Sequence, residues 1–434
     1  MRNKKILVWF RNDLRLHDQP ALLEATQRAE EIVPVFIIDQ RLFEKTEIGL
    51  SKAGSHRINF LLESITDLKK SIKAIGGDLY VGVGIPEEKV AELAITHGVQ
   101  SVYYSQDVCS EEISQENKLQ RVLSKAGIDW KIFWSSTLVD KNDLPFSINQ
   151  LPDVFTKFRN KVERECNYAI PLDAPEEIIS PEFDTDIPTL EQCGYELPDF
   201  DQRSAIKFVG GENAAISRVK EYLWEGDHIA TYKETRNGLV GKNYSSKFSP
   251  WLCTGSISAK YIVDEIYAYE DERVKNDSTY WMIFELLWRD FFRFTAYKQG
   301  NKLFHVQGFS EHPDRKWRKD LRTLEKWIDG YTGDEFVDAN MRELKASGWM
   351  SNRGRQNVAS YLIHEMGVDW RWGAMYFEYA LIDYDPASNW GNWAYLAGVG
   401  NDPRPDRKFN TQKQANDYDK NRAFRNLWLN PIAS

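Results

Sequence analysis

Residues 4–15 read KKILVWFRNDLR, and the apolar run Ile6 to Phe10 inside that stretch is the first of a series. IVPVFII at 32–38, DLYVGV at 78–83, SVYYS at 101–105 and DWKIFW at 129–134 follow, separated by amphipathic stretches such as 57–75 and 86–97. Short Val/Ile/aromatic runs that alternate with helix-length segments specify parallel strands joined by right-handed helical crossovers. The expected fold class is α/β, with an N-terminal doubly wound five-stranded parallel sheet over residues 1–135. Gly82-Val83-Gly84 follows a strand, but Glu87 occupies the third position of a dinucleotide fingerprint, where Gly or Ala is required. A dinucleotide site of that type is rejected.

Outward from the sheet, residues 136–204 read as a linker. Its second half, Pro171 to Asp201, carries five prolines and ten acidic residues with no Lys or Arg, and has no period, so it is expected to be an extended connector. The chain's net charge is −9, and without those ten acids the remainder is +1. A near-neutral body can still present a basic face, for which Arg315 to Lys319 and Arg404 to Lys413 are candidates. From residue 205 to 434 helical periodicity dominates, and twelve of the fifteen tryptophans fall between Trp224 and Trp428. A second, all-α domain is expected there, since 434 residues exceed what one core usually serves. Four scattered cysteines with no CxxC pair signal neither a disulfide framework nor a metal site. No stretch resembles a signal peptide or a membrane span, so a soluble, cytoplasmic protein is expected.

Four segments of the second domain carry chemistry. LIDYDPASNWGNW at 381–393 sets Asp383 and Asp385 two residues apart, a pair that repels unless cations or N–H donors share it. YSSKFS at 244–249 offers three serine hydroxyls besides Lys247, which suits a pyrophosphate. FELLWRDFFR at 284–293 places Glu285, Trp288 and Arg289 on one helical face, and MSNRGRQN at 350–357 sets Asn352 and Arg355 three apart. Taken singly, each reads as a turn, a polar helix start or an amphipathic helix; together they describe one site.

With WFRNDLR at 9–15 and Phe409-Asn410, these residues resemble the photolyase/cryptochrome family over nearly the whole chain. YKETRN at 232–237, GKNYSSKFSPWL at 241–252 and GNDPR at 400–404 resemble its cryptochrome-DASH branch. With only Cys253 in the C-terminal half, the four-cysteine cluster of the iron–sulfur branch cannot be assembled there.

The resemblance implies FAD folded inside the helical domain. Tyr232 would lie at the phosphate end, with Ser245, Ser246, Lys247, Phe248 and Ser249 on the pyrophosphate and Arg289 as a second cation. Arg355 would pair with Asp383 beside the isoalloxazine, and Asp385 would accept from the flavin imide N–H. Asn389 would face N5, where a neutral amide stabilises reduced flavin without giving up a proton. The resemblance also implies a lesion pocket of Arg236, Glu285, Trp288, Asn352, Arg353 and Tyr395, and an electron wire from Trp393 through Trp370 to Trp317. A 5,10-methenyltetrahydrofolate antenna would involve Gln106, Asp107, Glu111, Gly211 and Glu212, although the branch usually has Glu where this chain has Asp107.

Two departures bear on substrate. Tyr395 stands where double-strand photolyases have a second stacking tryptophan, and Asp417 stands where they use a basic residue. Both weaken the return on flipping a base out of duplex, which costs a few kcal/mol. The expected activity is therefore blue-light repair of cyclobutane pyrimidine dimers in single-stranded or looped DNA by a monomer. The competing expectation is a blue-light receptor without turnover, disfavoured because that class usually adds a long C-terminal tail; a non-light flavin oxidase is more distant still.

Overall fold

The computed structural model describes residues 3–196, 199–309, 316–401 and 407–430. Its single sheet comprises β1 (Asn3–Phe10), β2 (Ala29–Asp39), β3 (Tyr80–Gly84), β4 (Ser101–Ser105) and β5 (Asp129–Phe133) in the order β3-β2-β1-β4-β5. Every pairing is parallel. The crossovers are α1 (Pro20–Arg28), α2 (Ser55–Ala74), α3 (Pro86–Thr96) and α4 (Ser110–Ala126). Alternate residues of β1 enter different cores: Ile6, Val8 and Phe10 pack with α1 and α2, whereas Leu7 and Trp9 pack with α3 and α4. That is a doubly wound sheet, as the alternation predicts. Pro34 sits within β2 without breaking it because β3 begins to pair only at Val35, and the nearby Ile32 N–H donates to the Ile179 carbonyl of the connector.

After Phe133 the described elements are helical: α5 (Phe155–Glu165), α6 (Glu212–Lys220), α7 (Tyr232–Thr235), α8 (Ser249–Thr254), α9 (Ala259–Glu272) and α10 (Asp277–Gln299). They continue with α11 (Leu321–Ile328), α12 (Glu335–Ser347), α13 (Asn352–His364), α14 (Trp370–Ala380), α15 (Pro386–Leu396), α16 (Thr411–Tyr418) and α17 (Ala423–Leu429). The 23-residue α10 is the axis of this half; Asn276 caps it through a reciprocal capping box with Thr279. Its buried Asp290 accepts from the Leu138 and Val139 N–H groups at 3.0 Å each, tying α10 to the chain leaving the sheet. Residues 136–204 include one regular helix, α5, which packs against α10; residues 171–188 contain none.

The two halves meet closely. Leu14 N–H donates to the Thr254 carbonyl at 3.2 Å and Arg15 Nη1 to the Gly255 carbonyl at 2.8 Å. Gly255 has φ +65°, and a Cβ there would come within 2.0 Å of the Asn12 carbonyl oxygen, so only glycine fits this seam.

Candidate functional site

A cavity of about 600 Å³ opens in the helical half, a size suited to a cofactor. α7, the 237–249 loop, one face of α10, the start of α13, Asp383 and α15 form its wall. Tyr232, all of Ser245 to Ser249, Arg289, Arg355 and Asp383 line it, as do Arg236, Glu285, Trp288, Asn352, Arg353 and Tyr395. Segments separated by more than a hundred residues thus converge on one space.

The 245–249 loop is held from behind. Arg218 of α6, which is buried, donates from Nε to the Ser246 carbonyl at 3.0 Å and from Nη1 to Asn243 Oδ1 at 3.0 Å. Lys247 adopts a left-handed φ of 56° and donates to the Lys242 carbonyl at 3.0 Å, with its ammonium 3.5 Å from the Tyr244 ring centroid. Burial, reinforced by Arg218, lowers its pKa to about 7, while buried Glu343 opposes that shift and is itself pushed up by burial to about 8. A phosphate ligand needs the ammonium form, so binding above pH 7 must take up a proton. We expect FAD affinity to fall up to tenfold between pH 7 and pH 8. Fluorescence titration across that range checks this, with Lys247→Met expected to flatten the slope.

Each of the paired acids has its own cation. Arg355 Nη2 meets Asp383 Oδ2 at 2.8 Å, as expected, and leaves the buried Asp383 Oδ1 without a partner. Asp385 differs from expectation. Its Oδ1 caps α15 by accepting from the Ser388 N–H at 2.7 Å, and its Oδ2 takes Arg293 Nη1 at 2.6 Å. Each Asp385 oxygen thus carries one protein donor and keeps a further lone pair, whereas Asp383 Oδ1 carries none. Asn389 also does not line the cavity: its Nδ2 donates to the Ala374 carbonyl at 3.0 Å, and its neighbours Ser388 and Asn392 line the wall instead. Arg289 lines it but spends Nη1 on the Ser136 carbonyl and Nη2 on the Leu252 carbonyl at 3.1 Å.

At the other end Glu285 pairs with Arg236, and burial outweighs that cation in raising its pKa. Trp288 stacks on Phe155 of α5 at 3.8 Å and meets Tyr395 edge-on at 6.5 Å. Arg353 Nη2 donates to Asn237 Oδ1 at 2.9 Å. Arg407 sits over the Tyr395 ring at 4.6 Å and lines the cavity; among the described residues of the basic 404–413 stretch it is the one that reaches the site. Arg404, Asp402, Pro403 and Arg315 lie outside the described residues. Asp417 is exposed and pairs with Lys413 at 3.3 Å.

Trp393 and Trp370 are buried, and Trp317 is half-buried. Backbone pairing of Arg318 with Gly367 and Asp369 brings Trp317 to the start of α14, where Trp370 lies. The rings against Trp393 are Phe377 at 5.1 Å and Trp327 at 6.1 Å, and Trp370 packs on Trp390 at 5.8 Å. Sequence reading did not single out Trp327 or Phe155, whose spacing is that of ordinary core residues.

The proposed antenna residues are not gathered together. Gln106 lines a separate space of about 480 Å³ with Lys141 and Trp134. Glu111 is exposed and paired with Lys52, and Gly211 packs against Asp67. Glu212 is buried, accepting from the Leu16 N–H at 2.9 Å and from His17. Asp107 is buried against Arg293 at 2.7 Å.

Comparison with known proteins gives matches over the whole chain. The DNA photolyase family model matches residues 6–177, and the FAD binding domain of DNA photolyase matches residues 281–434. The cryptochrome DASH of Gloeobacter violaceus is 47% identical over 435 residues, covering 100% of this chain and 87% of its own. A crystal structure of a Synechocystis sp. cryptochrome aligns with a TM-score of 0.94 at 46% identity, covering 99% of this chain and 89% of that one. The bacterial class III photolyase from Agrobacterium tumefaciens aligns at 0.86 with 26% identity over 99% of this chain and 87% of its own.

Proposed function

Since the chain belongs to the photolyase/cryptochrome family, in its cryptochrome DASH branch, and carries that family's FAD-binding domain, we propose that it repairs cyclobutane pyrimidine dimers under blue light, with single-stranded or looped DNA as substrate. The observation that carries this reading is the continuity of one cavity, from the hydroxyl-rich 245–249 loop to the Trp288, Glu285 and Tyr395 end. The residues fit FAD. Among those lining the cavity, Asp383 Oδ1, Tyr244 Oη and Trp349 Nε1 are buried without partners, an arrangement that a polar ligand relieves. No described helix is long and apolar enough to cross a membrane; the four free cysteines support a reducing compartment, and the proposal is a cytoplasmic enzyme acting as a monomer.

Bound FAD, when reduced and photoexcited, would supply the electron that opens the cyclobutane ring and would take it back from the separated pyrimidines. The protein's part is placement and electrostatics. Lys247 and the 245–249 hydroxyls hold the phosphates, and the carboxylate pair takes the imide donor, with Asp383 Oδ1 free of other partners and Asp385 keeping a lone pair on each oxygen. Trp288 offers its ring to the flipped pyrimidines, and Glu285 accepts from their imide edge or, protonated, donates to a carbonyl. Arg236, Arg353 and Arg407 supply positive charge at this end for the DNA backbone.

The test is a blue-light repair assay on dimer-containing single- and double-stranded oligonucleotides at stated salt. Efficient repair of single strands and weak repair of duplex are expected, with binding that falls steeply as salt rises. Equal rates on both would sink the substrate assignment, and no repair with fully reduced flavin would favour a receptor. Glu285→Ala is expected to lower single-strand repair while leaving flavin absorbance intact, because its partner is the lesion. Undiminished repair in that variant would remove Glu285 from the site.

A further inference from the structure

Arg293 lies one turn beyond cavity-lining Arg289 on α10, is 3% exposed, and holds two acids from opposite halves of the molecule. Its Nη2 meets Asp107 Oδ1 at 2.7 Å and its Nη1 meets Asp385 Oδ2 at 2.6 Å. The outer oxygens are also engaged: Asp107 Oδ2 accepts from Asn12 Nδ2 at 2.9 Å, and Asp385 Oδ1 from the Ser388 N–H at 2.7 Å. Ser388 lines the cavity, so an unbroken series of contacts runs from the loop after β1 to the cavity wall.

We propose that Asp107 is a positioning residue for the cofactor cavity, setting through Arg293 how much positive charge reaches Asp385 and the wall beside it. One buried cation divided between two carboxylates leaves each only part of its charge. Arg11, the other guanidinium close to Asp107, is engaged by Glu116. Burial alone would raise the Asp107 pKa, but Arg293 and Arg11 hold it down at about 2, so its negative charge is permanent at working pH. Neutralising Asp107 frees Arg293 for Asp385, makes the wall more positive, and favours an added electron on a ligand in the cavity. This rests on the reading that the cavity holds FAD.

The experiment is a reductive titration of purified holoprotein against a reference dye, with apoprotein melting followed in parallel. Asp107→Asn should shift the flavin midpoint potential to more positive values. Asp107→Glu, which keeps the charge, should stay near wild type, and Asp385→Asn should also shift it positive. If Asp107→Asn does not fold, Asn12→Lys at that exposed position, whose ammonium competes with Arg293 for Asp107, should give the same direction. An unchanged potential in Asp107→Asn or its Asn12→Lys substitute, beside a shifted Asp385→Asn, overturns the relay but leaves the cavity reading standing. So does a lowered melting temperature alone, which would mark Asp107 as interdomain adhesive. No shift in any variant overturns both the relay and the placement of flavin at this wall.

Discussion

Asp383→Ala combined with Asp385→Ala is expected to yield a protein that purifies without FAD. The first change leaves Arg355 without its carboxylate and removes an acceptor oxygen that has no partner within the protein. The second takes one of two carboxylate partners from buried Arg293 and the N-cap from α15. Breaking a buried ion pair costs about 3–5 kcal/mol and losing an N-cap about 1 kcal/mol. Even if only half of that loss falls on the holo form, the affinity drops by roughly a hundredfold, at about 1.4 kcal/mol per decade. Flavin absorbance per protein, with far-UV circular dichroism as a folding control, measures this; full occupancy in the double variant would contradict the assignment.

The second large effect is on photoreduction. Trp393→Phe should nearly eliminate it while flavin content stays constant, because phenylalanine preserves most of the packing but is much harder to oxidise than an indole. The ring is tightly seated: a Cβ on Gly373 would come within 2.2 Å of it, so Gly373→Ala is expected to displace the donor without removing it. Transient absorption after a blue flash reads both variants. Unaltered kinetics in Trp393→Phe would mean that another residue donates, and Trp327, 6.1 Å from Trp393, would be the first to test.

The sheet was legible in the sequence because its signal is local. Apolar runs of strand length recur at crossover spacing, and β1 to β5 appear where those runs stand. The cavity wall was legible for a different reason, since YSSKFS, FELLWRDFFR and MSNRGRQN keep their ligating types within one loop or one helix turn. What could not be read was any property that depends on a distant partner. Nothing in the segment around Asp385 reveals that Arg293, ninety-two positions away, engages its second oxygen. Nothing around Asp107 reveals that the same guanidinium, one hundred and eighty-six positions away, engages it. Arg218 carries no periodic or motif signal that separates it from solvated surface charge, and Arg407 was legible only as part of the basic 404–413 run.

Phe155 makes the connector more than a tether. With its ring 3.8 Å from Trp288, the indole has lost its rotational freedom before any substrate arrives. Immobilising such a side chain at the moment of binding would cost on the order of 0.5–1.5 kcal/mol; here folding has already met that cost. On the proposal that Trp288 meets the flipped pyrimidines, the helix that carries Phe155 pre-orders that contact, and a Phe155→Ala change should weaken DNA binding while leaving the light-driven step in bound complexes at its normal rate.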